Sequence, residues 1–573
     1  MTRHHRLFVA ALLVTALATG GCTEDSDPPQ ASTVTPTAAA ASCDAGLDAA
    51  FRAWAQAGFS GSIAISTGGR FDCLASYGSA DEATGTPNTV DTVFSIGSVT
   101  KAFTAATVFR LVDEGKLTLD TRVGDVLPEL TGPAAGVTVR QLLLHTSGLN
   151  GSHGTDHKPL DRAGALAAIG RLDLAFAPGT GYVYSNAGYT LLALLIEQVS
   201  GQGYRDYTIR QILPLPDGRV AGGFWDGEPA APGPRAVGRL DGGRTGESGS
   251  FGGPHWAVDG NGGLAMTVRD LAAWTHALFT GRIVSTGSVR TIGTPGHDLG
   301  KGRSETPGWV AYDASVHGRP FLATAGGGGD IGHNAVVAWL PEGERVVAIA
   351  SNGPRVSAEQ LLEKAGPALL AGRPLPAPSL PVGGAPVPAT VGKYRLETGG
   401  GFEVSVAGNQ LSVTASGADA VAALFPPRGV PAEELRRHEQ RVMALLDGKT
   451  QEGRKERRAF EEAFGRITGI VPGGTVVRDG EVRSYVTVAT DARQVLAWYA
   501  VNPEGGVEAA EVGTEAPRLA LVSAGPGPGP DPGHGRYRPD DPTGNGPEVT
   551  VEFVSGRLTI VGPGGRYTAE PAR

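Results

Sequence analysis

The chain has no strongly basic region: its formal net charge is −9, and Lys and Arg cluster only in one short helical patch. That leaves no electrostatic footprint for nucleic acid, and the patch reads as a solvated helix face. No apolar run reaches the length of a membrane span; the longest near the N-terminus, Leu7 to Ala18, is too short. Gly-x-Ser-x-Gly occurs nowhere, which removes the nucleophile elbow of the α/β-hydrolases. Cysteine is scarce, with only Cys22, Cys43 and Cys73 in 573 residues, and none of the three reads as catalytic.

The basic start, the short apolar run and the small residues before Cys22 read as an export signal over 1–21. Small residues running into Cys22 resemble the lipobox of bacterial lipoproteins, with Thr19 in place of the usual leucine. Lipidation of Cys22 would place the protein on the outer face of the bacterial cytoplasmic membrane; plain cleavage nearby is the alternative. Residues 22–43 read as a polar tether. In an exported chain Cys43 and Cys73 are expected to pair with each other, the alternative being two buried thiols.

Glycine and proline are abundant, 86 and 41, and the length exceeds one hydrophobic core. Residues 44–372 open with a helix and two short alternating strands, pass through helical segments closed by glycine, and return to strands before a last helix. That order gives an α/β layered domain whose sheet is built from both ends of the region. A Pro-rich linker, 373–391, leads to a β-rich accessory domain, 392–523, with a charged helical insert. A Gly/Pro linker at 524–535 precedes a β-rich segment, 536–573, that partly repeats 392–415. Gly392-Lys393-Tyr394-Arg395 echoes Gly535-Arg536-Tyr537-Arg538, and Glu403-Val404-Ser405-Val406 echoes Glu548-Val549-Thr550-Val551. A segment so short could hardly bury a core alone, so it is expected to pack on the β domain before it.

"FSIGSVTKAFTAATVFRLVDEG" sets Lys101 three residues after Ser98, one helical turn on the same face. A serine hydroxyl needs a neighbouring base, which a desolvated lysine of lowered pKa can supply. The same text also suits an ordinary helix start, with Ser98 as cap and Lys101 solvated.

The next motif shifts that balance. "FAPGTGYVYSNAGYTLLALLIEQVSG", with "VTVRQLLLHTSGL" and "NGGLAMTVRDLAAW" in order, resembles the serine β-lactamase and penicillin-binding-protein superfamily, in its branch of class C β-lactamases, DD-carboxypeptidases and esterases. The resemblance covers roughly 50–372. It implies a penicillin-recognising α/β domain with an antiparallel sheet and a helical insert. It also implies that Ser98 attacks a carbonyl, that Lys101 and Tyr184 move protons, and that Asn186 holds Lys101 and the substrate amide. Tyr184 as a core aromatic and Asn186 as a helix cap are the bland alternatives. His145 reads as a structural loop histidine. The oxyanion donors implied are the N–H groups of Ser98 and Gly329.

In the third family motif, on "FLATAGGGGDIGHNAVVAWLPEGE", Gly326 aligns with the position that normally carries His or Lys. A missing cation there disfavours substrates with a free carboxylate and shifts the base role toward Lys101, unless His333 folds back to replace it. No cofactor is indicated. Gly327-x-Gly329-x-x-Gly332 is followed by a strand rather than a phosphate-binding helix, and His153, Asp156 and His157 form a turn rather than a metal site. Substrates would be small molecules or peptidoglycan-derived, and the C-terminal modules would face the cell envelope. Esters and amides head the substrate expectations. A DD-peptidase or β-lactamase, and a silent binding lipoprotein, are the rivals.

Overall fold

The computed structural model describes residues 43–572 except 241–244, 247–250, 328–330, 380–389, 408–409, 428, 479–480, 504 and 527–534. Cys22 therefore lies outside the described residues. Cys43 and Cys73 form a disulfide.

Eight antiparallel strands form the first sheet: β1 (Gly61–Thr67), β2 (Arg70–Tyr77), β3 (His297–Gly300), β4 (Arg303–Thr306), β5 (Trp309–Tyr312), β6 (Phe321–Gly327), β7 (Asn334–Leu340) and β8 (Arg345–Ser351). Their spatial order is β2-β1-β8-β7-β6-β5-β4-β3, so the first strand pairs with the last, Ile63 opposite Ile349. Both faces of the central strands are buried, as the apolar runs of β1, β7 and β8 require. Ile63, Ile65, Val347 and Ile349 pack under Phe51 and Trp54 of α1 (Ala45–Gln56) and Leu361 and Leu369 of α5 (Ala358–Ala371). The alternate residues Ala64, Val337, Val346 and Ala348 face a larger core with α2 (Thr100–Asp113), α3 (Asn186–Ser200) and α4 (Val268–Phe279). Helix α2 is buried around almost its whole circumference, which is why it lacks a clean amphipathic stripe.

The C-terminal region differs from the expected division. Strands β9 (Gly392–Arg395), β10 (Gly401–Ala407), β11 (Gln410–Ser416), β16 (Arg518–Pro526), β17 (Gly535–Pro539), β18 (Thr550–Val554), β19 (Arg557–Gly562) and β20 (Gly565–Pro571) close into one barrel. The stretch read as a second linker connects neighbouring barrel strands, Ser523 opposite Tyr537. The two echoing segments begin equivalent three-strand meanders of this barrel. Tyr394 and Tyr537 meet the same ring, Phe553, edge-on at 6.0 and 5.7 Å. Each copy presents one apolar face, and barrel closure buries both against each other. Between them, helices α6 (Ala432–Leu446) and α7 (Gln451–Phe464) cover a separate four-stranded sheet, β12 (Ile467–Arg478), β13 (Glu481–Thr490), β14 (Gln494–Val501) and β15 (Val507–Val512). No helix among the described residues is long and apolar enough to cross a membrane.

Candidate active site

Ser98 sits in the 3-10 turn Gly97–Val99 that leads into α2. It does not cap the helix; the capping position is Val99, with no side-chain hydrogen bond. Gly97 has φ +48° and lies against the Gly327 carbonyl, a conformation and an approach that a side chain would oppose.

Lys101 is 3% exposed, so it is no solvated surface lysine. Its Nζ lies 3.0 Å from Ser98 Oγ, 2.8 Å from Asn186 Oδ1 and 2.9 Å from the Asn261 carbonyl. The last two are acceptors only, so Ser98 is the one partner able to reverse its role. As an ammonium, Lys101 donates to all three. As a free amine it donates two N–H groups to Asn186 and Asn261 and turns its lone pair to the serine proton. Burial lowers its pKa to about 7, against the opposing pull of the Asp156 and Glu305 carboxylates. Both forms are therefore populated at neutral pH.

Tyr184 donates its hydroxyl to Ser98 Oγ at 2.8 Å, and its ring lies 4.8 Å beneath Lys101 Nζ. It is no core aromatic, being 49% exposed. The protein around its hydroxyl raises its pKa above the ordinary tyrosine value, partly offset by the Ser98 hydrogen bond. Asn186 is not a helix cap either. Ser185 fills that role, accepting from the Gly188 N–H, and so frees the Asn186 amide for Lys101.

His145 is buried with φ +55°, and its Nδ1 accepts the Ser185 N–H at 3.0 Å. That bond leaves the ring proton on Nε2. Desolvation, reinforced by the Lys101 charge, holds it far below the usual histidine range, so it is a neutral brace for the Tyr184-Ser185-Asn186 segment.

Gly326 requires a correction. It is not an emptied cation position: a Cβ there would collide with the Ile96 carbonyl and the Ser98 N–H, so no side chain of any kind fits. Strand alternation places Thr324 on the same face two residues earlier, while Ala325 packs toward α1 and α5. The pocket-facing side chain of β6 is thus a half-buried threonine. Gly329 lies outside the described residues. His333 does not fold back. It is 3% exposed, with Nδ1 accepting the Ser95 N–H at 2.9 Å, and burial lowers its pKa to about 3.

The turn residues at 153–157 diverge. His153 contacts the Trp256 carbonyl at 3.2 Å, His157 pairs with Asp226 at 2.5 Å, and Asp156 is exposed. Two further groups stand at the site. Asn261, the first residue of the NGGLAM motif, acts through its carbonyl, and Glu305, which carries no sequence signal, is 5% exposed on β4 and accepts from Tyr182 at 3.1 Å.

Known proteins resemble this chain in sequence and in fold. The chain is 34% identical over 168 residues to "Penicillin-binding protein 4*" of Bacillus subtilis (strain 168), covering 28% of this chain and 37% of that protein. It is 36% identical over 185 residues to "Esterase EstB" of Burkholderia gladioli, covering 28% and 47%. These matches span less than half the length of either relative. In fold it resembles the octameric penicillin-binding protein homologue from Pyrococcus abyssi, with TM-score 0.51 and 21% identity over 83% of this chain and 99% of that one. The family model "Beta-lactamase" matches residues 47–368, more than half the chain, and on that extent this protein belongs to the beta-lactamase family.

Proposed function

We propose that the protein is a serine hydrolase that cleaves esters or amides through an acyl-enzyme on Ser98. The observation that carries this reading is the convergence on one hydroxyl of a buried amine and a phenol, at 3.0 and 2.8 Å. Lys101 as free amine takes the Ser98 proton while Oγ bonds to the substrate carbonyl carbon. The Ser98 N–H is one donor to the oxyanion, and the glycine-rich end of β6 supplies the second. Tyr184, which keeps its proton at neutral pH, protonates the leaving atom and is reprotonated from the Lys101 ammonium. Water then repeats the sequence on the acyl carbon, releasing acid and restoring Ser98.

The threonine at 324 offers no charge for a substrate carboxylate, and the buried His333 cannot supply one. Esters and amides lacking that group are therefore the preferred class, ahead of β-lactams and D-Ala-D-Ala ends. The relatives point to the cell envelope, and we place this protein there, exported and anchored through a lipid on Cys22.

Intact-mass analysis after fluorophosphonate treatment tests the enzyme reading. One adduct is expected on the wild type and none on Ser98→Ala; a folded wild type without adduct would establish a silent binding protein instead. Comparing kcat/KM for a p-nitrophenyl ester and a cephalosporin tests the substrate class. Faster cephalosporin turnover would return the protein to the β-lactamases and DD-peptidases.

A further inference from the structure

Glu305 is a buried acid that the reaction above leaves unused. Among the described residues no cation pairs with it, and the contact that serves it is the Tyr182 hydroxyl, at 3.1 Å on Oε2. Tyr182 stacks on His297 at 5.5 Å, and His297 stands opposite Glu305 in the β3–β4 register. The Tyr182 ring also meets His145 edge-on at 6.0 Å, and His145 lies 4.4 Å from the Tyr184 ring. A second path leads to the lysine. Three residues beyond Glu305, Gly308 packs so closely on α2 that a Cβ would lie 2.8 Å from Ala102 Cα and 2.9 Å from the Lys101 carbonyl. Glu305 is thus fixed to both proton-handling arms of the Ser98 site.

Its electrostatic surroundings are mixed. Lys101 on α2 favours its ionised form, and Arg303 shares its strand. Tyr184 before α3, Tyr189 on α3 and Tyr312 on β5 all hold their protons more tightly when Glu305 is charged. Desolvation dominates this balance and pushes Glu305 up to about 8.

We propose that Glu305 is a positioning residue for the Ser98 reaction that works as a neutral acid and shuts the site down when it ionises. Protonated, it holds Tyr182 in the wall that carries His145 and Tyr184, and adds no charge to the cleft. As a carboxylate it favours the Lys101 ammonium, which has no lone pair for the serine proton, and it opposes the negative charge developing on the tetrahedral oxygen. The two buried groups titrate as a coupled pair, so the profile belongs to both. The inference rests on the serine hydrolase reading.

The test follows kcat/KM of the full chain for a p-nitrophenyl ester from about pH 5.5 to about pH 10, corrected for spontaneous hydrolysis. Wild type is expected to rise toward neutrality and then fall, losing about tenfold or more between pH 7 and pH 9.5. Glu305→Gln, which keeps an acceptor for Tyr182 without an ionisable proton, should lose the descending limb. Tyr182→Phe removes a hydrogen bond that favours the carboxylate and should move that limb to higher pH. Glu305→Ala should be less active than the glutamine variant at every pH, because Tyr182 is left without its acceptor. A descending limb unchanged in Glu305→Gln overturns the proposal. So does a flat alkaline profile in the wild type. Fluorophosphonate labelling separates the two failures: a Ser98 adduct with an unaltered limb removes only the role of Glu305, whereas no adduct removes the hydrolase reading and this inference with it.

Discussion

Ser98 is poised between two groups whose proton affinities desolvation of the reacting atoms drives in opposite directions. Lys101 falls to about 7 while Tyr184 rises, so near neutrality the amine is the available base and the phenol is the available acid. Removing the base should therefore cost more than removing the acid. Lys101→Ala is expected to lower kcat/KM for an ester by about a thousandfold or more, and Tyr184→Phe by about a hundredfold, within the range general acid–base groups contribute. Steady-state kinetics on the two folded variants checks the order; a larger loss in Tyr184→Phe would make the phenol the base. The convergence of Ser98, Lys101, Tyr184 and Asn186 was legible in the sequence because each stands in a local motif. Glu305 was not. It lies in "GHDLGKGRSETPG", polar and glycine-rich, and its burial comes with its contact to Tyr182 and the packing of nearby Gly308 on α2, which no local pattern encodes.

At the level of elements, the contact between β6 and the turn before α2 is the most constrained feature of the site. Gly326 has no room for a Cβ beside the Ser98 N–H, so the strand end and the nucleophile are registered by main-chain contact. Gly326→Ala must displace one of them. It is expected to lower the melting temperature and to reduce acylation of Ser98 by at least about tenfold, since a donor displaced from the oxyanion costs about that or more. Thermal unfolding and fluorophosphonate labelling rate measure both effects, and an alanine variant with wild-type labelling would show that the strand end is not registered in this way. Helix α3 offers a contrasting case: Ser185→Ala should cost about 1 kcal/mol as a lost helix cap, read by chemical denaturation. Sequence placed the strands and helices of the first domain well because their apolar periodicity is strong. It misassigned Gly326 because four consecutive glycines give no clue to which one meets the nucleophile. The pairing Gly326 opposite Ala335 supplies that register.

Over the whole molecule, the same buried groups tie stability to pH. Glu305 holds its proton in the folded state up to about 8, against an ordinary value of 4.5. Across that window the folded protein binds more protons than the unfolded chain, so this group's contribution is full below the window and is lost as pH rises through it. The melting temperature of Glu305→Gln relative to wild type should therefore increase from pH 5 to pH 8; a constant difference would mean that the acid is not held protonated by the fold. Lys101 acts with opposite slope above about 7, where the unfolded chain keeps the proton that the fold has released. At this scale the sequence echo between the β-rich segments was readable, but their union in one barrel was not. Periodicity reports which face of a strand is apolar; strand partners more than a hundred residues apart, such as Leu411 and Leu521, are chosen only when the barrel closes.

The most direct test of the central claim is the pre-steady-state rate of Ser98 acylation by a p-nitrophenyl ester as a function of pH. A buried free amine as base predicts a rate that climbs about tenfold per pH unit on the acid side and bends over near the Lys101 value of about 7, with no burst in Ser98→Ala. A burst that survives in Ser98→Ala, or an acylation rate flat from pH 5 to pH 8, would contradict it.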